Sequence, residues 1–265
     1  MFSRLRKLFS PAESGPPPAL AAGTRAYAVG DVHGRQDLFA ALSAAIDADD
    51  AERGAADTTV ILLGDLIDRG PDSAGVIAHA RAWGQRRKVR VLMGNHEEMF
   101  LDALEKEEVL RHFLRFGGRE TVLSYPVDPE EYTRSDLAET IVLMQAAIPA
   151  EDIAYIRSFE HCIQIGDYLF VHAGIRPDVP LDEQYTADLH WIREPFLSHP
   201  GSFGLMVVHG HTIADEPQLR GNRIGIDTGA YRTGCLTALG LQGEDRWLIE
   251  ARDEDGAIRA TQRSL

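Results

Sequence analysis

Five short segments of this sequence place metal-ligand residue types directly after an apolar run. YAVGDVHG carries Asp31 and His33, VILLGDLIDRG carries Asp65, Asp68 and Arg69, and VLMGNHE carries Asn95, His96 and Glu97. Further on, YLFVHAG carries His172 and MVVHGH carries His209 and His211. Each apolar run has strand character, and functional groups of open α/β sheets gather beyond the carboxyl ends of the strands. The glycines let the chain turn sharply there, so side chains from separate strands can converge. The donors are oxygen and nitrogen without thiolate. That set suits manganese, iron or zinc and disfavours copper(I) and iron–sulfur clusters. Asp31, His33, Asp65, Asn95, His172 and His211 exceed the needs of one tetrahedral ion, and they serve two ions if one carboxylate bridges. Two ions about 3.5–4 Å apart suit in-line displacement at phosphorus. They lower the pKa of a shared water, polarise phosphoryl oxygens and neutralise developing charge. Any one of these segments alone is an ordinary hydrogen-bonded turn; the weight lies in all five occurring in order, each after a strand. Glu97 is read as capping its helix, and His209 as buried near the site without being a ligand.

The elements that must hold these residues follow from hydrophobic periodicity. Ala26–Gly30, Thr59–Leu63 and Val89–Met93 read as short buried strands. Gln36–Asp49 presents Leu38, Phe39, Leu42, Ala45 and Ile46 on one helical face, and Asp72 and Ser73 cap a helix carrying Val76, Ile77, Ala80 and Trp83. Another helix begins near Glu97. Residues 105–160 change character: they read as mostly helical, with breaks at Gly117-Gly118 and Pro126, and form an insertion over one edge of the sheet. Strands return at His161–Ile165, Tyr168–Val171, Leu205–Val208, Arg223–Ile226, Cys235–Leu241 and Arg246–Ala251, the last two joined by a hairpin at QGED. Alternating β and α followed by closely spaced strands predicts an α/β sandwich with mixed sheet.

Composition narrows the function classes. At 265 residues and 44% hydrophobic content the chain can bury a sizeable core. No apolar run reaches the roughly 18–20 residues that cross a bilayer. The start, MFSRLRKLFSP, lacks the apolar stretch of a secretory signal. Cys162 and Cys235 stand far apart and make neither a disulfide framework nor a zinc motif, which fits a reducing, cytoplasmic location. The formal charge is −14. Residues 1–25 run against it, with Arg4, Arg6, Lys7 and Arg25 against Glu13, and are read as a basic, Pro-rich leader that ends before the folded domain. Phe2, Leu5, Leu8 and Phe9 could give it weak membrane-surface contact. So acidic a body repels phosphate backbones, so nucleic acid is not expected as a partner. Carboxylates that hold cations supply part of such acidity.

The series GDVHG, GDLIDRG, GNHE, HAG and GHT resembles the phosphoprotein phosphatase branch of the calcineurin-like dinuclear metallophosphoesterases. The nearest likeness is to bacterial and phage lambda-type serine/threonine protein phosphatases. It runs from about Ala26 to about Glu250, and LHWIRE (189–194) and IDTGAYRTGCLTAL (226–239) also look like family segments. The resemblance implies a four-layer αββα sandwich, as one catalytic domain over 26–265. It implies two divalent ions, manganese foremost, with iron or zinc also compatible. Asp31 and His33 would hold the first ion, Asp65 would bridge, and Asn95, His172 and His211 would complete the second. A hydroxide bridging the ions would attack in line, without a phosphoenzyme. His96 would protonate the leaving alkoxide, Asp68 would hold His96 in place, and Arg69 and Arg193 would clamp the phosphate. Tyr231 would line the substrate pocket or serve the structure. Arg35, Arg176 and Arg232 read as solvated positions before they read as substrate contacts.

The implied activity is hydrolysis of phosphoserine and phosphothreonine, with a phosphoprotein or small phosphoester as partner. Symmetrical diadenosine tetraphosphate hydrolases share the scaffold and are the alternative, with ADP as product. They usually lack the acid at the position of Asp68 and read GNHD and a Trp after the last histidine, where this chain has GNHE and GHT. A catalytically dead scaffold is disfavoured because all six ligand positions are filled, and a nuclease because the second histidine of GHxH is absent. Two substitutions test the assignment. His96→Asn should cut turnover heavily with metal content intact, and Asp31→Asn should deplete the first metal by elemental analysis. Unchanged activity on an alkyl phosphate in the first, or full metal occupancy in the second, would refute the respective role.

Overall fold

Strand β1 (Thr24–Val29) sets the layering. Ala26 and Ala28 face one way, Tyr27 and Val29 the other, and all four are fully buried, so the strand lies between two apolar layers. The computed structural model describes residues 17–265. Helix α1 (Gln36–Glu52) leads from β1 to the parallel β2 (Asp57–Leu62), and α2 (Ser73–Gly84) leads from β2 to the parallel β3 (Val89–Val91). Asp72 caps α2 by accepting the Gly75 N–H at 2.8 Å. The chain then runs through α3 (Asn95–Ala103), α4 (Glu107–Phe113), α5 (Arg119–Ser124), α6 (Pro129–Arg134), α7 (Leu137–Ala147) and α8 (Ala150–Arg157).

The second half is strand-rich. It holds β4 (Cys162–Ile165), β5 (Tyr168–Val171), α9 (Thr186–Trp191), β6 (Met206–His209), β7 (Gln218–Leu219), β8 (Arg223–Gly225), α10 (Ala230–Thr233), β9 (Cys235–Gln242), β10 (Asp245–Glu254) and β11 (Ala257–Ser264). Two sheets result, in the orders β11-β10-β9-β1-β2-β3 and β4-β5-β6-β8-β7, each mixing parallel and antiparallel pairs. Residue parity separates three apolar layers. Ala26, Ala28, Ile61 and Leu63 of the first sheet meet Tyr168, Phe170, Met206 and Val208 of the second. Tyr27, Val29, Val60 and Leu62 pack instead on Leu38, Phe39, Val76 and Trp83 of α1 and α2. Leu169, Val171 and Val207 turn outward onto Leu189, Ile192 and Phe196. The architecture is the αββα sandwich, with α1 and α2 on one outer face and α9 with the turn after it on the other.

Three sequence expectations need correction. The leader ends before Arg25. Residues 1–16, including the expected membrane-contact turn, lie outside the described residues, but from Pro17 the chain packs on the fold. Leu20 is buried between the sheets and its N–H donates to the Gly243 carbonyl at 2.9 Å. Arg25 is covered because its guanidinium pairs with Asp50 (2.6 Å) while its Nε donates to Gln242 Oε1 (2.8 Å). Strand β11 was missed because its side chains are almost all exposed and leave no apolar alternation. The available signal was Asp255-Gly256, whose φ values of 54° and 88° make the tight turn from β10. Helix α3 begins at Asn95, two residues before the expected start, so the predicted ligand Asn95 and the predicted acid His96 lie in its first turn.

One buried carboxylate ties α1 to the first sheet. Asp49 accepts from Tyr27 Oη (2.6 Å), Trp247 Nε1 (3.0 Å) and Arg53 Nε (2.9 Å), and the Arg53 guanidinium lies 3.5 Å over the Trp247 ring. Asp49→Ala strips the buried Tyr27 and Trp247 donors of their acceptor. We expect a loss of about 2–4 kcal/mol in urea unfolding, with the metal content of the folded protein unchanged; a loss within measurement error would show that the network is not a stabilising link.

Candidate metal centre

All five predicted segments end at one rim, and the backbone there is strained. Among the described residues, five of the seven non-glycine residues with positive φ belong to these segments: His33 (46°), Asp65 (50°), Asp68 (73°), Arg69 (68°) and His211 (61°). Such conformations cost on the order of 1–3 kcal/mol each and persist where the surroundings over-determine them. Glu97 supplies much of that constraint. Its fully buried carboxylate accepts the N–H groups of Asp65 (2.9 Å), Leu66 (2.7 Å) and Gly94 (3.0 Å). It caps α3, as expected, and also holds the β2 loop. Close approach requires glycine at several points of this rim, Gly94 and Gly210 among them: a Cβ at Gly94 would lie 2.2 Å from Asp65 Oδ1, and one at Gly210 2.0 Å from Asp31 Oδ1.

Asp65 lies at the centre, and its two oxygens face different partners. Oδ1 is 3.4 Å from His172 Nε2, while Oδ2 is 3.6 Å from His33 Nε2 and 3.9 Å from His96 Nε2. His33 Nδ1 donates to the Ile67 carbonyl and His172 Nδ1 to the Leu63 carbonyl, both at 2.8 Å. A carbonyl only accepts, so in the neutral rings both Nε2 atoms carry lone pairs that face the Asp65 carboxylate. Acceptor against acceptor in a buried site is the signature of a place for cations. Asn95 Oδ1 adds another acceptor, 3.0 Å from His172 Nε2 and 2.8 Å from His211 Nδ1. His33, Asp65 and His96 form one donor group, and Asp65, His172 and His211 a second. Among the described residues His211 Nε2 and Asp227 Oδ2 find no hydrogen-bond partner, though both are buried. The donor set therefore fits two hard or borderline divalent ions sharing Asp65.

The electrostatics agree. Burial drives the Asp31 carboxyl well above the usual carboxylate range, and Asp227 and Asp65 push it further. Burial raises Asp227 to about 6. Burial pulls His211 down to about 3 and holds His33 and His172 below the ordinary imidazole value. Asp65 is the exception: the imidazoles of His172, His96 and His33 outweigh burial and hold it low. Alone, the protein drives most of this cluster toward neutral forms, and a bound cation inverts that preference.

Asp31 joins neither donor group, but it borders them: its carboxylate accepts the His211 N–H at 3.0 Å. His96 Nδ1 sits 2.6 Å from Asp68 Oδ2, and its Nε2 lies 2.9 Å from Arg69 Nη2. Burial lowers the His96 pKa, yet Asp65 and the Asp68 hydrogen bond outweigh it and raise it; the Arg69 N–H donates to Nε2 of the neutral ring, so a proton taken up there displaces that bond. Arg69 Nη1 reaches His33 Nε2 at 2.9 Å, and its guanidinium lies 4.8 Å over the Tyr231 ring, which itself meets His33 edge-on at 5.4 Å. Arg193 is exposed; among the described residues its side chain makes no hydrogen bond or ion pair, and its charge acts on His211. His209 is turned away, with Nδ1 on the Gly210 carbonyl and Nε2 on Arg223. Arg35 pairs with Asp37 and Asp253, Arg176 with Asp188 and Arg232 with Asp215, so none is aimed at the bay. Sequence reasoning passed over Asp227, which the IDTG segment carries, and Thr121, which had no motif context.

With that geometry in view, comparison with known proteins identifies the class. The family described as calcineurin-like phosphoesterase matches residues 24–236, and this chain belongs to it. The asymmetrical bis(5'-nucleosyl)-tetraphosphatase PrpE of Bacillus velezensis is 25% identical over 84% of this chain and 91% of its own. Serine/threonine-protein phosphatase 1 of Salmonella typhimurium is 30% identical over 69% of this chain and 78% of its own. The solved cold-active protein-tyrosine phosphatase of a psychrophilic Shewanella species superposes with a TM-score of 0.55 at 20% identity, covering 97% of this chain and 88% of that one. That last likeness concerns the fold. Among the described residues no helix is long and apolar enough to cross a membrane.

Glu97→Ala would orphan the buried Asp65 and Leu66 N–H groups. We expect a loss of roughly 2–5 kcal/mol in unfolding free energy together with weaker manganese retention on dialysis. Wild-type metal retention would show that Glu97 does not hold Asp65 in position.

Proposed function

We propose that this metallophosphoesterase hydrolyses phosphomonoesters of basic alcohols, with phosphoserine and phosphothreonine side chains as substrates. The observation that carries this is the His96–Asp68 pair beside the paired donor groups. An alkoxide is a poor leaving group, and a positioned acid is worth about 10²–10⁴-fold to its departure. The Nδ1–H of His96 is committed to Asp68, so Nε2 is the nitrogen that gives a proton to the leaving oxygen. Asp68 is the acid that distinguishes this reading from that of the symmetrical tetraphosphatases.

In this reading Asp31 and His33 hold one ion, Asn95, His172 and His211 the other, and Asp65 both. Manganese is the first candidate, with iron or zinc compatible. When bound, the ions supply an acidified water and neutralise phosphoryl charge. Arg69 orients the phosphoryl oxygens through its planar fork, and its stacking on Tyr231 limits the positions the fork can take. Arg193 approaches from the His211 side and turns inward to grip the dianion. By accepting the Nδ1–H, Asp68 steadies the imidazolium, whose Nε2–H faces the bay.

A second reading, hydrolysis of a dinucleoside tetraphosphate, is supported by the names of several relatives and by Trp191. That indole is 40% exposed, two residues before Arg193, and its N–H is pinned to Glu98 Oε2 at 2.8 Å, next to the first turn of α3. A fixed, exposed indole suits stacking on a purine.

The deciding experiment offers manganese-loaded protein a phosphothreonine peptide and diadenosine tetraphosphate together, followed by phosphorus NMR. Inorganic phosphate released first from the peptide is the expected result. ADP first, or ATP with AMP first, overturns the phosphatase reading in favour of symmetrical or asymmetrical tetraphosphate cleavage.

A further inference from the structure

The loop carrying Asp68 and Arg69 is gripped from a side that none of the sequence motifs reaches. Thr121 lies in α5, within the helical insertion, and is fully buried with Asp68 and Ser73. Its Oγ1 is 2.6 Å from Asp68 Oδ1, 2.8 Å from Ser73 Oγ and 2.9 Å from the Asp68 backbone nitrogen. We propose that Thr121 is a positioning residue for the reaction: it completes a Thr121–Asp68–His96 relay that aims the protonating nitrogen of His96, while Gly117 of the same insertion seats Arg69. The proposal rests on the reading of His96 as the acid.

Proton accounting gives the relay one direction. An ionised Asp68 has no hydrogen to give, so the single Thr121 proton goes to Oδ1. With that proton spent, Ser73 must donate to Thr121, and the second lone pair of Thr121 accepts the Asp68 N–H. The hydroxyl is then saturated, with one bond donated and two accepted. Asp68 Oδ2 is left for His96 Nδ1 at 2.6 Å, and Nε2 of that ring faces the bay. The Asp68 N–H also reaches Ser73 Oγ at 3.0 Å, so both acceptors hold Asp68 in its left-handed conformation. A valine at position 121 would keep the shape and lose the three bonds made by the Thr121 hydroxyl.

Gly117 acts backbone to backbone. Its carbonyl accepts the Arg69 N–H at 3.0 Å, and a Cβ there would lie 2.6 Å from Arg69 N and 2.7 Å from Arg69 Cγ. The chain reaches this close because the helix breaks: Phe116 and Gly117 leave helical geometry inside a π turn over Leu114–Gly118, with Gly117 at φ +104°. Such turns recur at functional sites. Sequence reading saw Gly117-Gly118 as a helix break, which it is; the break brings the insertion against the catalytic loop.

The test compares leaving groups. Manganese-loaded wild type, Thr121→Val, Thr121→Ser and His96→Asn are assayed on p-nitrophenyl phosphate, whose leaving group needs little protonation, and on a phosphothreonine peptide, whose leaving group needs it strongly. For Thr121→Val we expect kcat on the peptide to fall roughly 10–100-fold, with a much smaller loss on the aryl ester and unchanged metal content. Thr121→Ser should restore most of the peptide activity. Equal losses on both substrates, or no rescue by serine, would overturn the relay. His96→Asn separates the two ideas. If it does not discriminate between the substrates, the acid assignment is wrong and the relay falls with it; if it discriminates and Thr121→Val does not, only the relay fails. Gly117→Ala, should Thr121→Val not fold, should weaken inhibition by inorganic phosphate several-fold without changing the ratio of the two kcat values. Unaltered phosphate inhibition would overturn the seating of Arg69.

Discussion

The whole rim depends on a buried carboxylate that faces lone pairs on both sides. Asp65 presents one oxygen to His172 and the other to His33 and His96, and neither His33 nor His172 has a proton to offer, because each spends its Nδ1–H on a backbone carbonyl. Such an arrangement is unfavourable in a protein interior unless positive charge enters it. The left-handed turn at Asp65, the close pass of Gly94 and the four N–H bonds accepted by Glu97 all serve to hold that carboxylate where it is. The strain is concentrated at the rim and is supported by a core of three well-buried apolar layers.

Charge and fold are matched along the same line. Asp31, Asp65, Asp68, Glu97 and Asp227 are all buried near one another, which accounts for part of the acidic balance as local chemistry. Arg69 stands among them with its guanidinium spread between His33 and His96 and stacked on Tyr231. Arg193 is exposed, so the two arginines differ: one is fixed by partners, and the other's side chain has none among the described residues.

The helical insertion is more than a cover. Through Thr121 and Gly117 it touches the Asp68–Arg69 loop with both a side chain and the backbone. A change in the insertion therefore reaches the site through two short hydrogen-bonded links. That contact runs between residues some fifty positions apart, which is why Thr121 carried no signal in the linear pattern and Gly117 showed only as a helix break.

The ligand-type residues, their place at strand ends and the α/β character were legible in the sequence, because strand periodicity and metal-ligand residue types are local properties that survive without tertiary context. Glu97 was also legible as a cap, since a cap is set within one turn. The two-sheet layering came only through family resemblance, not through the apolar pattern, because Tyr27 and Ala28 read alike as strand residues whichever layer receives them. Strand β11 stayed hidden because an exposed edge strand buries too little to show alternation. Leu20 and Arg25 read as leader because their burial depends on Gly243, Gln242 and Asp50, which the chain brings to them from elsewhere. The roles of Asp227, Thr121 and Gly117 belong wholly to the tertiary structure: each is defined by a long-range contact, and a carboxylate, a hydroxyl or a glycine acquires its chemistry from what is buried beside it.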